Sequence, residues 1–257
     1  LGLTDIRAYG GEIDTPNIDS LAAEGMLFTN YHTTPECAPS RAMLLTGMDN
    51  HNTGLPMIPE VLPWEYRDTP GYEGYLRNDA LTIAEMLKPA GYKTYMTGKW
   101  HLAFGGEETA ALPHNRGFDK NLVDSLAEFD DWENLNEGDK KMMVKSMAVF
   151  AGMLDAMDFH IGRFVDYLKD EGLYENTLFI ITADNGPEGN DPSDHEAWRN
   201  WIKTTIYDRD LETLGDQDSY VFIGSEFAQA TASPSHLYKF HMSEGGLRVP
   251  LIISGPG

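Results

Sequence analysis

The chain has 257 residues, of which 41% are hydrophobic and 11% aromatic. That is enough to build a substantial core in one large domain or two smaller ones. The formal net charge of −22 would repel nucleic acids and anionic membranes, so neither is expected as a partner. The single cysteine excludes an internal disulfide and leaves the compartment undetermined.

The first predicted helix lies near the start of the chain. Thr15 can serve as its N-cap, Pro16 suits the first helical position and Gly25 suits the stop. Residues 26–33 then read as an extended segment. A helix followed by an extended run is one repeat of an α/β pattern.

The second predicted helix follows the only cysteine. It would begin at Pro39 and close at Gly47, and helix N-termini expose unpaired amide groups that attract anions. Arg41 adds a fixed positive charge. Cys37 would lie just ahead of this positive end, where a thiol is activated as a nucleophile. A buried, inert cysteine is the competing interpretation.

The third predicted helix and the strand after it carry two candidate residues. One of residues 78–79 can cap the helix, Gly91 ends it, and residues 93–97 read as a strand. Just beyond, alternation would place Lys99 and His101 on the same side, a pairing that suits anion binding and proton transfer. A solvated lysine and a structural histidine are the alternatives.

A long helix is predicted from about Asp139 to Asp170. Its apolar side chains step by four and three residues, which places them on one face turned to the core; they are Met143, Met147, Phe150, Leu154, Met157, Ile161, Phe164 and Leu168. The acidic cluster that precedes it is interpreted as a solvated face; it comprises Asp130, Asp131 and Glu133.

The last predicted strands complete the pattern. Residues 178–181 form a continuous apolar run, and a second run starts at Val249. Helices that alternate with apolar strands indicate an α/β fold with a mostly parallel central sheet flanked by helices, in which function lies where strands end. Asp184 and Asn185 follow the first run, and their oxygens suit Ca²⁺ or Mg²⁺. An Asx turn is the alternative.

Several stretches together resemble the Cys-type sulfatases. The stretch CAPSR at residues 37–41 matches the C-x-P-S-R signature that directs oxidation of the cysteine to formylglycine. Further similar stretches follow in the family's order, among them TPNIDSLAAEGMLFTNYHT, AGYKTYMTGKWHL, RGFD, TLFIITADNG and SEGGLRVPLIISGPG, while GYEGYL and SYVFIGSEFAQATASPSHLYKF are similar to bacterial arylsulfatases. The resemblance implies a sulfuric ester hydrolase with an alkaline-phosphatase-like sandwich.

The resemblance also implies a role for each candidate residue in the first half of the chain. Cys37, as formylglycine, would supply the oxygen nucleophile and one metal ligand. Arg41 would hold the aldehyde hydrate. Lys99 would bind a sulfate oxygen, and His101 would take the proton that lets the sulfated intermediate collapse.

The other implied roles fall in the second half. Asp184 and Asn185 would be calcium ligands, with Mg²⁺ possible, and Lys239 would bind sulfate and help the leaving oxygen. Three residues look structural, a turn that feeds the last strand: Gly245, Gly246 and Arg248. The implied partners are a small sulfate ester and a formylglycine-generating enzyme.

Parts of the family pattern are missing from the sequence. Leu1 is not a methionine, and the family's aspartate pair would fall before it; Asp5 is interpreted as a loop residue and not a replacement. A segment with a further active-site histidine is shortened after Asp119. The later histidines do not match it, namely His160, His195, His236 and His241. Residues 1–257 are therefore expected to be a partial catalytic domain, without the first strand, the central segment and a C-terminal subdomain.

Three functions stay open at this point. The first is a sulfatase acting on phenol or alkyl sulfates, in which a divalent ion, Arg41 and two lysines would offset the charge of the ester. The second is a catalytically inactive fragment or pseudoenzyme that keeps the fold. The third is a phosphatase or phosphonate hydrolase of the same superfamily.

Overall fold

Two units share the chain in a computed structural model that describes residues 1–67, 69–97, 99–103, 109–122, 137–189, 210–217 and 219–256. One unit comprises Leu1–Pro35 and Ala127–Gly257, and the other comprises Glu36–Leu126; we call them the outer-segment unit and the middle unit. The predicted acidic cluster at residues 130–133 and His195 lie outside the described residues. None of the helices in the described part of the chain has the length and apolar character needed to cross a membrane.

The outer-segment unit is built on a three-stranded sheet. Its strands are β1 (Met26–Phe28), β4 (Phe179–Thr182) and β5 (Leu251–Ser254), in the order β1, β5, β4. The helices of this unit are α1 (Pro16–Glu24), α5 (Glu137–Asp170), α6 (Gly224–Ala232) and α7 (Glu244–Leu247). Its core joins Ile6, Ile18 and Ile252, each at most 1% exposed, so the sheet and α1 share one apolar layer.

The sheet directions correct one detail of the sequence analysis. Strand β5 pairs antiparallel with both neighbours, at Leu27↔Ile252 and Ile181↔Ile252. Parallel pairing among the described strands is found between β2 (Tyr95–Thr97) and β3 (Lys120–Leu122). A short apolar run reports burial and not direction, which is why the sequence could not assign the antiparallel pairs.

The long helix α5 keeps nearly its predicted bounds but turns a different face to the core. Met143, Leu154 and Leu168 are buried as expected, whereas Met157 is 36% and Phe164 is 52% exposed. Those two predictions were wrong because the buried face also carries the carboxylate of Asp158, which is 2% exposed.

Asp158 is buried because it caps another helix. Its carboxylate accepts hydrogen bonds from the backbone amides of Asn17 at 3.1 Å and Ile18 at 2.8 Å, and from the Asn17 side chain at 2.8 Å. These amides belong to the first turn of α1, whose N-cap Thr15 forms no side-chain cap of its own. A negative charge at a helix N-terminus is stabilising, so α5 and α1 are joined by a polar contact that no apolar periodicity reveals.

Small side chains lie in the core of the middle unit. Its helices are α2 (Cys37–Thr46), α3 (Asn50–Thr53) and α4 (Ile83–Leu87), and the parallel pair β2–β3 accompanies them. Ala38 and Ala42 of α2 are fully buried in a cluster with Leu55, Leu76 and Leu102. Alanines at steps of four allow close helix packing, which fixes the start of α2 in the unit.

The N-cap of α4 and the start of the strand after it differ from the sequence prediction. Its N-cap is Thr82, which accepts from the amide of Glu85 at 3.1 Å while Glu85 accepts from the Thr82 amide at 2.8 Å. This reciprocal capping box explains why neither Asn78 nor Asp79 caps the helix. The following strand begins at Tyr95, two residues after the predicted start.

A buried arginine ties the loops of the middle unit together. Arg116 is 2% exposed and donates to the carbonyl oxygens of Leu76 and Arg77 at 3.2 Å each, and to that of Ala80. Its guanidinium also pairs with Glu85 at 3.1 Å. Arg116 therefore holds the segment that leads into α4.

Candidate active site

Cys37 is the first residue of α2 and is 3% exposed. The helix thus begins two residues before the predicted start, with Glu36 as N-cap and Gly47 in the left-handed region (φ 68°) at its C-cap. Because Cys37 belongs to the first turn, its thiol lies within the field of the helix N-terminus and not ahead of it. Activation of the Cys37 thiol stays a prediction.

Arg41 lies four residues after Cys37, one helical turn further along α2. Its Nε donates to the backbone oxygen of Trp100 at 2.9 Å. Trp100 is itself buried, and its indole donates to the carbonyl of Ala111 at 2.9 Å. Arg41 therefore fixes the backbone between Lys99 and His101. This contact brings the start of α2, with Cys37 and Arg41, close to Lys99 and His101.

His101 is paired with the carboxylate of Glu60. Its Nε2 lies 2.9 Å and 3.0 Å from the two carboxylate oxygens of Glu60. The imidazole is 12% exposed and the carboxylate 35%. A backbone φ of 55° at His101 is uncommon for a residue with a side chain, and it turns the chain away from the extended course on which the predicted alternation rested.

The charges around His101 shift its pKa. Burial alone lowers the pKa of the imidazole, but interactions with the Cys37 side chain and with Glu60 outweigh burial, and the pKa is raised. Burial likewise raises the pKa of Glu60, yet His101 and the Lys99 charge bring it below its ordinary value. Cys37, Lys99, Glu60 and His101 thus form one electrostatic group within the middle unit.

Glu60 is a candidate site residue that the sequence analysis missed. It lies in a short 3-10 turn at Pro59–Val61, far in sequence from His101 and not at the end of a strand. An acidic residue in a proline-containing loop carries no spacing signal. The pairing follows from the tertiary arrangement of the middle unit.

The outer-segment unit holds the predicted metal ligands. Asp184 and Asn185 follow β4 directly, as predicted. Asn185 is 5% exposed, and its Nδ2 donates to the carbonyl of Gly186 at 2.6 Å. Its Oδ1 is buried and has no hydrogen-bond partner among the described residues. A buried amide oxygen without a donor is costly, and a hard cation bound there would satisfy it, so this pair of residues fits the implied calcium.

Two ligands alone do not complete such a site. Calcium takes 6 to 8 oxygen ligands. Among the described residues, no three His, Cys, Asp or Glu side chains cluster as a metal site would. The aspartate pair that the resemblance implies as further metal ligands stays a prediction.

Glycines bring the backbone segments of this region into close contact. A Cβ on Gly186 would lie 1.9 Å from the carbonyl oxygen of Gly245, and one on Gly245 would lie 1.7 Å from that of Leu237. The Gly186 amide donates to the Gly246 carbonyl at 2.9 Å. The segment after β4 therefore packs backbone to backbone against α7 and the residues before it, which leaves no room for a side chain.

Lys239 is placed by the same packing. Its amide donates to the carbonyl of Pro187 at 3.2 Å, and the residue is 4% exposed. The Nζ forms an ion pair with Glu188 and lies 4.8 Å from the centre of the Phe240 ring. The sequence analysis did not identify Glu188, although it lies only three residues after the predicted metal ligand Asn185.

The remaining candidates keep structural roles. Asp5 ends a short 3-10 turn at Leu3–Asp5, and its carboxylate accepts from the Gly2 amide at 2.6 Å. Burial raises the pKa of Asp5 to about 6. The predicted turn at Gly245 and Gly246 is the short helix α7, and Arg248 donates to the carbonyl of Thr29 at 2.9 Å and 2.6 Å.

Comparison with known proteins decides the family. A sequence model described as Sulfatase matches residues 1–142 and 128–257. The chain belongs to the sulfatase family. Sulfatases are hydrolases that act on sulfuric esters, so the family also places the chain among enzymes.

Two relatives match along the whole chain and a third along about half of it. An uncharacterized sulfatase of Schizosaccharomyces pombe is 29% identical over 378 residues, covering 100% of the chain and 68% of that protein. The arylsulfatase of Klebsiella aerogenes is 25% identical and covers 100% of the chain and 79% of its own length. Human arylsulfatase A is 43% identical over 124 residues, which is 48% of the chain and 23% of that protein.

Solved structures support the alkaline-phosphatase-like α/β fold. The crystal structure of Ps i-CgsB in complex with k-i-k-neocarrahexaose superposes with a TM-score of 0.64 at 22% identity. The PsFucS1 sulfatase from Pseudoalteromonas sp. superposes with a TM-score of 0.59 at 23% identity. The chain spans 64% and 60% of these two proteins.

Proposed function

We propose that this chain carries the nucleophile of a sulfatase that hydrolyses sulfate monoesters, with Cys37 oxidised to formylglycine. The observation that carries the proposal is the position of Cys37: the CAPSR stretch places it as the first residue of α2, buried, and in electrostatic contact with a His101 that Glu60 holds. An inert core cysteine would not need a paired histidine beside it.

Each candidate residue of the middle unit then has a role in the reaction. The modified Cys37 would supply an oxygen nucleophile for attack on sulfur. Arg41 and Lys99 offset the negative charge of the ester. Glu60 engages Nε2 of His101. The buried Nδ1 has no hydrogen-bond partner in the described part of the chain, and it would be the ring atom that accepts and returns a proton.

The resemblance assigns further roles to residues of the outer-segment unit. Asp184 and Asn185 would hold Ca²⁺, or Mg²⁺ in its place, and the bound ion would supply positive charge against the sulfate oxygens. Lys239 would bind another oxygen through Nζ. Burial of Asn185 and Lys239 keeps these contacts dry, which strengthens them.

The test is to express the protein in its natural reading frame together with a formylglycine-generating enzyme. Oxidation should remove about 18 Da from the peptide that contains Cys37, and the protein should hydrolyse an aryl sulfate. The matched control is Cys37→Ala, which lacks the sulfur and must show neither effect. Removal of divalent ions with a chelator should reduce turnover, and added calcium should restore it.

Two outcomes would contradict the proposal. An unmodified Cys37 without turnover would favour the inactive remnant. Faster hydrolysis of an aryl phosphate than of the matching aryl sulfate would favour a phosphatase of the same superfamily.

A further inference from the structure

Lys239 forms a buried ion pair with Glu188, and the reaction proposed above gives Glu188 no role. Lys239 has a side chain that is 5% exposed, and the Glu188 carboxylate is 25% exposed. A lysine placed to bind an anion would bind it more strongly without a carboxylate on its Nζ. The carboxylate therefore weakens anion binding, and the question is which anion it weakens most.

We infer that Glu188 is a specificity-determining residue that makes this site prefer singly charged esters over doubly charged ones. The inference rests on the proposed function, because it takes Lys239 to be the residue that binds the ester. A sulfate monoester carries one negative charge, whereas a phosphate monoester carries about −1.5 to −2 at pH 7. Repulsion from a fixed carboxylate grows with the charge of the ligand.

The surroundings of the pair keep this repulsion strong. The Phe240 ring lies 4.8 Å from the Lys239 Nζ, and the Lys239 amide is bonded to the Pro187 carbonyl, adjacent to Glu188. Because Lys239 is buried, little water screens the repulsion between Glu188 and a second anion. Glu188 therefore acts on the ligand through the same ammonium that binds it.

The position of Glu188 links the pair to the proposed metal ligands. Asn185 and Glu188 lie on one segment, three residues apart, and the Gly186 amide anchors that segment to Gly246 at 2.9 Å. A bound cation would attract both monoanions and dianions, and it would attract dianions more strongly. A carboxylate on the neighbouring lysine counters that bias without removing the cation.

The decisive experiment compares Glu188→Gln with the parent, both carrying Cys37→Ala so that neither ester is turned over. Binding of phenyl sulfate and phenyl phosphate is measured by titration calorimetry with calcium present. The amide should improve the affinity for phenyl phosphate relative to phenyl sulfate by about tenfold. An unchanged ratio would overturn the inference.

Two further variants separate charge from shape. Glu188→Asp keeps the charge and should keep the preference for sulfate; loss of the preference in that variant as well would count against the charge argument. Glu171→Gln removes the same charge at an exposed position after α5 and should leave the ratio unchanged.

A measurement on the parent alone covers the case in which Glu188→Gln does not fold. Methyl phenyl phosphate is a monoanion with the same phosphorus centre as phenyl phosphate, so with Glu188 in place it should bind at least as tightly as the dianion, although the bound cation favours the dianion. Tighter binding of phenyl phosphate would overturn the inference. Failure of the proposed function looks different: the protein with Cys37 intact, coexpressed with a formylglycine-generating enzyme, would then not hydrolyse aryl sulfate, whatever the two affinities.

Discussion

The two units place their candidate site residues by different means. In the middle unit, side chains do the placing: Arg41 holds the Trp100 backbone, and Glu60 holds His101. In the outer-segment unit the backbone does it, because glycines let the segment after β4 pack directly against α7. Side-chain placement tolerates some change in shape, whereas backbone contact at glycine tolerates none.

The same contrast holds for the two buried cations. His101 pairs with a carboxylate that is 35% exposed, and Lys239 pairs with one that is 25% exposed. An imidazole can accept and donate a proton in catalysis, whereas a lysine ammonium acts mainly as a point charge. The middle unit therefore suits proton transfer, and the outer-segment unit suits constant charge.

The largest expected effect tests the backbone contact in the outer-segment unit. Gly245→Ala would place a Cβ 1.7 Å from the Leu237 carbonyl oxygen, so the segments must separate. We expect a loss of about 3 kcal/mol or more in the free energy of unfolding, measured by urea titration.

The control for that substitution is Gly152→Ala on α5, where a Cβ meets nothing within 4 Å. It should gain about 0.5–1 kcal/mol, because alanine is the better helix former. A Gly245→Ala chain as stable as the parent would mean that close backbone contact does not hold α7 against the segment at Leu237.

The second prediction tests the side-chain network of the middle unit. Arg116→Lys leaves one ammonium where a guanidinium binds three carbonyls and Glu85. Unfolding should become easier by about 2 kcal/mol, because buried carbonyls lose their donors. Arg163→Lys, at an exposed position on α5, should stay within about 0.5 kcal/mol of the parent, and similar losses in both variants would refute the assigned role.

The smallest expected effect concerns the pair of Glu60 and His101. The raised pKa of His101 gives stability that is complete below its ordinary value of 6.5 and is lost as the pH rises through the folded value. The lowered pKa of Glu60 gives stability that is complete above 4.5 and is lost as the pH falls. The pair therefore stabilises most between these two values.

Glu60→Gln should accordingly destabilise by less than about 1 kcal/mol, with the largest difference from the parent at pH between 4.5 and 6.5. It should also lower the pKa of His101, measured by NMR titration of the imidazole. Glu65→Gln, an exposed neighbour, should do neither. A pKa of His101 that does not respond to Glu60→Gln would show that the two groups are not paired.

The sequence predicted most of what depends on local signals. Pro16, Gly25 and Gly47 mark helix ends through their own backbone preferences, and the structure confirms all three. The family was predictable because its motifs recur in order along the chain. The roles assigned to Cys37, Lys99 and Lys239 stay predictions.

What the sequence could not predict depends on contacts between distant segments. Glu60 and Glu188 become partners of His101 and Lys239 only through the fold, since no periodicity relates them. Met157 and Phe164 were assigned to the core because apolar spacing cannot foresee that Asp158 takes a place on the buried face. The antiparallel direction of β5 is lost for the same reason, because burial patterns do not encode direction.

The carboxylate of Asp158 has a consequence for how this protein meets free anions. By bonding to the amides of Asn17 and Ile18, it occupies the anion-binding start of α1 with a group from its own chain. Sulfate or phosphate in the buffer would have to displace a covalently tethered competitor at high local concentration. Saturation experiments with inorganic anions should therefore report on sites other than the start of α1.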